Sequence, residues 1–195
     1  MKWWEKTVEY KFIKEYIDLD SFIAPLDGKE EKAGDAIFGN NEKFILIEFK
    51  KDENSIKDEQ KKFSNFVLAK QTLQDKDNHH ILIYGEIDNK NLILKAKTYF
   101  SRNNIILSEK FTNGKTLEEF KNYLDKFLVF KKGSKTESSA GGYGLVAGVT
   151  QEGEITKCLT LEEFDYEMKL NLNIEKNNDN NIEPPAPSFP SPGGW

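Results

Sequence analysis

With 195 residues and a formal net charge of −5, the chain is long enough for one domain with a sizeable core and an appendage, and it is not a general polycation that coats nucleic acid or membrane. Its single cysteine, Cys158, excludes an internal disulfide framework and a thiolate metal site. No apolar run approaches the roughly 20 residues of a membrane span, so we expect a cytoplasmic protein that does not enter a membrane.

The N-terminal quarter of the chain predicts one helix followed by two strands. Apolar residues recur at three- and four-residue steps over residues 3–17, which is typical of an amphipathic helix. Residues 34–39 read as a short strand. Residues 42–50 form a second strand that is apolar on both faces, as expected in the middle of a sheet. We expect these two strands to pair as a hairpin.

The middle of the chain alternates predicted helices and strands. Ser55, with an acidic residue three positions later, is typical of a helix start, and apolar residues carry this helix to about residue 73. Strands follow at 80–87 and 91–97, and a further helix begins at Thr116. The pattern indicates a mixed α/β (α+β) fold with helices on both sides of a central sheet.

The C-terminal third differs in composition from the rest. We predict a domain over residues 1–130, a flexible linker at 131–142, a small hairpin and helix at 143–170, and a disordered tail at 171–195 that is rich in Asn and Pro. The hairpin and helix are either an annex of the main sheet or a separate docking element. The letters TLEEF occur at 116–120 and again at 160–164, which shared helix-start chemistry explains better than a duplicated domain does.

Two charged residues interrupt the apolar strand at 42–50. Side chains alternate along a strand, so Glu48 and Lys50 must project from the same face. The predicted hairpin brings Asp35 alongside them. Two close carboxylates repel each other unless a cation lies between them, which makes the group a candidate site for a hard divalent ion such as Mg²⁺. The ammonium of Lys50 can then position the attacking water and offset charge in the transition state.

This arrangement resembles a known nuclease signature. Asp35, followed by Glu48-Phe49-Lys50 at the end of an apolar strand, is similar to the D…(D/E)xK motif of the PD-(D/E)xK nuclease superfamily, which includes restriction endonucleases and Holliday-junction resolvases. A helix with a carboxylate, Glu9, precedes the strands. The stretch IEFKKDENSIKDEQKKF is similar to resolvase-like and VRR-type nucleases, where a loop leads from the lysine strand to a helix with a glutamine, here Gln60.

The resemblance implies a restriction-endonuclease-like fold and a Mg²⁺-dependent endonuclease, with Mn²⁺ as a substitute metal. By this resemblance Asp35 and Glu48 hold the metal, Lys50 activates or orients the water, and Glu9 and Gln60 support them. The helical phase of Gln60 also places it on the apolar face of its helix, pointing at the sheet. The proline that often precedes the aspartate in this superfamily is absent, and Gly34 stands in its place.

The nucleic-acid contacts that we expect are lysine contacts to phosphate. Only Arg102 among the 28 basic residues is an arginine, so bidentate readout of guanine is not favoured. Lys57, Lys61 and Lys62 follow the candidate site and are predicted to track a phosphate backbone, with DNA as the expected partner. The alternative for these lysines is a solvated helix face.

Simpler explanations compete with several of these assignments. Glu48 and Lys50 are otherwise an ordinary solvated ion pair, Glu5 is the rival of Glu9, and Gln60 is otherwise an edge residue. His79 and His80 are expected at a loop end, without a shared metal. For the whole protein, the alternative is a catalytically inactive nuclease-fold scaffold that binds a protein partner through residues 143–195, and a homodimer is also possible.

Overall fold

The computed structural model describes residues 2–17, 42–107, 111–131, 144–161 and 163–166. Its elements, in chain order, are α1 (Glu5–Tyr16), β1 (Lys43–Lys50), a long 3₁₀ helix (Asn54–Lys62), α2 (Phe66–Leu73), a short 3₁₀ helix (Gln74–Lys76), β2 (His80–Asp88), β3 (Asn91–Thr98), β4 (Asn104–Ile105), α3 (Leu117–Phe130), β5 (Gly144–Val149) and β6 (Ile155–Thr160). The strand predicted at 34–39 and the tail predicted from residue 171 lie outside the described residues. None of the described helices is both long enough and apolar enough to cross a membrane.

The strands form one mixed sheet in the order β4-β3-β2-β1-β5-β6. Among the described strands only β1 and β2 pair in parallel, and the chain crosses between them through the long 3₁₀ helix and α2. Both edges of β1 are occupied, by β2 on one side and by β5 on the other. The place beside β1 that the sequence assigned to residues 34–39 is therefore taken by β5. The predicted mixed α/β fold, with helices on both sides of the sheet, is confirmed.

The central position of β1 explains why it is apolar on both faces. Ile45, Ile47 and Phe49 pack with Val8 and Phe12 of α1 on one face of the sheet. The other face of β1 carries Phe44 and Leu46, which pack against α2 and α3. Each face buries its own hydrophobic cluster, so the molecule has three layers and β1 lies at their centre.

The hairpin of β5 and β6 belongs to the same sheet. β5 runs antiparallel to β1 from Lys43↔Val149 to Glu48↔Gly144. The hairpin turns at Gly153, whose φ of 82° lies in the left-handed region that glycine enters at little cost. Of the two possibilities left open by the sequence, the hairpin is thus an annex of the sheet. The sheet combines strands from both sides of the predicted linker.

Both TLEEF segments begin with the same local hydrogen bonds. Thr116 and Glu119 form a capping box, in which each side chain accepts a hydrogen bond from the backbone N–H of the other residue. Thr160 and Glu163 make the same reciprocal pair. The repeated letters therefore encode a helix start rather than a repeated domain.

The single helix predicted at 55–73 is wrong, because the segment is divided. Residues Asn54–Lys62 form a 3₁₀ helix, and α2 begins only at Phe66. Asp52 starts the first part, since its Oδ1 accepts hydrogen bonds from the backbone N–H and the hydroxyl of Ser55. Asn65 caps α2 through its Oδ1, which accepts from Leu68 N at 3.1 Å. The hydrogen bonds from Ser55 to Asp52 and the Asn65 cap thus start two helices where the apolar pattern alone predicts one.

Truncation tests the role of the hairpin in the sheet. A chain that ends after Lys131 lacks β5 and with it the buried side chains Val146, Ala147 and Val149. We expect this chain to be unfolded at 25 °C, because such losses amount to several kcal/mol, against a typical total of about 5–15 kcal/mol for a domain. A chain that ends after Leu170 is the control and should keep the wild-type melting temperature in circular dichroism. Equal melting temperatures for both chains would contradict this assignment.

A second prediction concerns acid stability. Burial, with a smaller contribution from His80, lowers the pKa of His79 from 6.5 to about 3. Between these two pH values the unfolded chain binds a proton that the folded chain does not, so stability falls as the pH falls, by up to about 1.4 kcal/mol per pH unit. His79→Phe keeps an aromatic ring against Tyr123 and should make urea-unfolding free energies less pH-dependent below pH 6.5. Identical pH dependence in the two proteins would refute the assignment.

Candidate active site

Glu48 and Lys50 are buried charges on one face of β1. Each is 3% exposed, which excludes the solvated ion pair that the sequence left open. They lie on the face that α2, α3 and the long 3₁₀ helix cover, two positions apart, as strand alternation requires. Because buried charges are costly unless they have partners, the groups around them define the site.

Lys50 is held between two carboxylates. Its Nζ lies 2.7 Å from Glu59 Oε1 and 3.7 Å from Glu5 Oε2. Burial by itself lowers the pKa of Lys50, but Glu59, Glu48 and Glu5 together raise it above the ordinary lysine value. The ammonium is therefore charged at neutral pH.

Glu59, one position before the predicted Gln60, is the residue that the 3₁₀ helix turns toward the sheet. Its carboxylate is 1% exposed and accepts from Lys50 Nζ, from Lys62 Nζ at 2.7 Å and from Tyr99 OH at 2.6 Å. A 3₁₀ helix has three residues per turn, so Ile56 and Glu59 share a face and both are buried. Gln60 is exposed, so the prediction that it points toward the sheet is wrong. The spacing Ile56-x-x-Glu59 in the sequence matches the three residues per turn of a 3₁₀ helix. An α-helical period of 3.6 residues per turn points to Gln60 instead.

Glu48 has fewer partners than Glu59. Lys131 Nζ donates to its Oε1 at 3.2 Å, and His80 Nε2 lies 3.5 Å from the same oxygen. Its Oε2 is buried and has no hydrogen-bond partner among the residues that the structure describes. Burial by itself raises the pKa of Glu48, yet Lys131, His80 and Lys50 hold it well below its usual value. The result is an ionised carboxylate with one uncommitted oxygen.

His80 and Tyr99 connect the two carboxylates, because His80 lies beside Glu48 and Tyr99 donates to Glu59. The His80 ring stacks on the Tyr99 ring, with centroids 4.0 Å apart, and its Nδ1 lies 2.9 Å from Tyr123 OH. Burial lowers the pKa of His80, which keeps the imidazole neutral. Burial and the charges of Glu48 and Glu59 raise the pKa of Tyr99 well above 10, so its hydroxyl stays a donor to Glu59. His79 lies in the turn that leads into β2, as expected, whereas His80 is the first residue of β2 and is fully buried.

Glu5 and Glu9, the two candidate carboxylates of α1, have different partners. Glu9 is buried on α1, and both of its oxygens bond to Lys6 Nζ, at 2.8 and 2.9 Å. Glu5, its rival in the sequence, is the α1 carboxylate that reaches Lys50. Burial raises the pKa of Glu5, with opposing effects from Lys50 and Lys62.

The remaining predicted site residues are Asp35 and three lysines. Asp35 lies outside the described residues. Lys57 and Lys61 are exposed, and Lys61 pairs with Asp58 at 2.6 Å. Lys62 is partly buried and belongs to the cluster through Glu59. In the described part of the chain, no three or more His, Cys, Asp or Glu side chains are grouped so that they could hold a metal ion.

Comparison of the chain with protein-family models, with curated proteins and with solved structures gave no match. The site is therefore interpreted from its own geometry.

Adjacent substitutions test the assignment of Glu59. Glu59→Ala leaves the ammonium of Lys50 buried without its nearest partner, and losses of this kind cost about 3–5 kcal/mol. Gln60→Ala removes an exposed side chain and should change the free energy of unfolding by less than about 0.5 kcal/mol. Urea unfolding of both variants measures the difference. A larger loss of stability in Gln60→Ala than in Glu59→Ala would contradict the assignment and indicate that Gln60 contacts the site.

Proposed function

We propose that this protein is a metal-dependent phosphodiesterase that cleaves the backbone of DNA, with Mg²⁺ as its activating ion and Mn²⁺ as a substitute. The observation that carries the proposal is the pairing of an ionised, buried carboxylate that has a free oxygen, on Glu48, with a buried ammonium on Lys50. The residue order and strand position of this pair also match the resemblance noted in the sequence.

The donor chemistry of Glu48 fits a hard divalent ion. An ionised carboxylate with an uncommitted oxygen is the type of ligand that Mg²⁺ prefers, and this ion usually takes only one or two carboxylates from the protein. Glu48 would hold the ion, together with Asp35 by the resemblance. When bound, Mg²⁺ supplies Lewis-acid activation of water and of the phosphodiester group.

The role of Lys50 follows from its charge state. Because its pKa is raised, it keeps its proton at neutral pH and cannot serve as the base that deprotonates water. It instead donates hydrogen bonds and offsets the negative charge that builds up on the phosphoryl oxygens in the transition state. Glu59 and Glu5 fix its position, and Glu59 is in turn held by Lys62 and Tyr99.

Lysines provide the means to attract a polyanionic substrate. Lys62 and Lys131 are partly exposed and belong to the cluster itself, while Lys57 and Lys61 are exposed on the same 3₁₀ helix as Lys62. Lysine contacts to phosphate read backbone rather than base sequence, so we expect activity on DNA with little sequence preference and a strong dependence on salt.

A second candidate is supported by the internal partners of the same charges. Lys131 pairs with Glu48, and both Glu59 and Glu5 pair with Lys50. These pairs are also what a purely structural ion network would contain. In this case the protein is an inactive nuclease-fold scaffold that binds a protein partner through residues 143–195. Metal-dependent cleavage distinguishes the two functions.

The test is a cleavage assay on linear, circular, branched and single-stranded DNA, and on RNA, with Mg²⁺, Mn²⁺ or EDTA. Glu48→Gln and Lys50→Met keep approximate side-chain size and should each lower turnover by at least about 100-fold, because each removes a charge from the transition state. Asp35→Asn should do the same. Lys126→Ala, on the exposed surface of α3, is the control for folding and should retain turnover.

Circular dichroism melts of each variant separate loss of chemistry from loss of fold. The proposal fails if folded Glu48→Gln and Lys50→Met proteins cut as fast as the wild type. It also fails if the wild type cuts none of these substrates with either metal, which would favour the scaffold.

A further inference from the structure

Two buried polar atoms on neighbouring side chains have no hydrogen-bond partner among the described residues. They are Oε2 of Glu48 and Nε2 of His80, whose residues are 3% and 0% exposed. A buried polar atom without a partner costs about 1–3 kcal/mol, and folded proteins usually satisfy such atoms with a protein group, an ordered water or an ion. A cation held by the Glu48 carboxylate and by His80 Nε2 would give both side chains a partner.

The spacing of the two groups fits a shared cation. His80 Nε2 lies 3.5 Å from Glu48 Oε1, the oxygen that also accepts from Lys131, and this distance is beyond a good hydrogen bond. Two ligands that are each about 2.1 Å from one ion lie roughly 3–3.5 Å apart. The sheet places the two groups side by side. His80 of β2 is paired with Leu46 of the parallel strand β1, and Glu48 is the next residue after Leu46 on the same face of β1.

The other nitrogen of His80 has the partner that a ligating imidazole needs. Nδ1 lies 2.9 Å from Tyr123 OH, and the ring is held by stacking on Tyr99 and by edge contact with Phe127. When Nδ1 carries the ring proton and donates it to Tyr123, Nε2 presents its lone pair toward Glu48. Tautomer and ring orientation are then fixed as in known metal-binding histidines.

We propose that His80 supplies a nitrogen ligand to the cation that Glu48 binds, so that the site takes a divalent first-row transition metal more tightly than Mg²⁺. This inference rests on the proposed function, which places the metal at Glu48. Imidazole favours transition metals, whereas Mg²⁺ favours oxygen ligands. His80 therefore sets the choice of metal and not the phosphoryl chemistry.

Lys131 competes with the metal in this arrangement. Its Nζ donates to Glu48 Oε1 at 3.2 Å, and its side chain is 23% exposed at the end of α3. A divalent ion must displace this ammonium, which can move into solvent because it is partly exposed already. Replacing Lys131 with methionine should therefore tighten metal binding.

The direct test uses the untagged, full-length, metal-stripped chain with Mn²⁺ and pulsed EPR. The chain contains only two histidines, so a ¹⁴N imidazole coupling in the wild type can come only from His79 or His80. We expect the coupling in the wild type and in His79→Phe, and its loss in His80→Phe and His80→Gln. A wild-type spectrum without imidazole coupling would overturn the proposal without any variant.

Binding measurements give the second readout. By calorimetry, His80→Gln and His80→Phe should weaken Co²⁺ binding at least about tenfold and change Mg²⁺ binding by less than about twofold, because only the nitrogen ligand is lost. His79→Phe should match the wild type, and Lys131→Met should bind Co²⁺ more tightly. A folded His80 variant with wild-type Co²⁺ affinity overturns the proposal.

Glu48→Gln separates this inference from the proposed function. If Glu48→Gln loses Co²⁺ and Mg²⁺ binding while the His80 variants keep both, only the role of His80 fails and the site remains a candidate nuclease centre. If Glu48→Gln binds both ions like the wild type, the metal does not bind at Glu48, and the proposed function fails with this inference.

Discussion

The burial of two opposite charges on the central strand is the constraint that shapes this structure. β1 is covered on both faces and both edges, so Glu48 and Lys50 have almost no access to water. Their desolvation has to be offset by partners from elsewhere in the chain. Those partners come from α1, the 3₁₀ helix, β2 and the end of α3, which means that the charged cluster joins elements from both sides of the sheet.

The two buried carboxylates of the cluster have opposite characters. Glu59 accepts from three donors, which nearly exhausts its capacity and makes it a fixed anchor for Lys50. Glu48 keeps one buried oxygen that has no hydrogen-bond partner in the described part of the chain.

Sequence patterns located the elements well and the supporting residues less well. Apolar periodicity and helix-start residues predicted α1, β1, β2, β3, α3 and the terminal hairpin, because each depends on neighbours along the chain. The same reasoning joined the 3₁₀ helix to α2 and so chose Gln60 instead of Glu59. The apolar pattern of residues 54–62 does not distinguish a 3₁₀ helix, with 3.0 residues per turn, from an α-helix, with 3.6 residues per turn.

By itself, the sequence determined that Glu48 and Lys50 share one face of an apolar strand, because side-chain alternation is a property of the backbone. The tertiary structure alone decided which groups surround them. Glu5 was chosen over Glu9 by the way α1 passes the end of β1, and Lys131 and His80 reach Glu48 from elements 83 and 32 positions away. Spacings of this kind are set by sheet order and packing, which no pattern of nearby residues records.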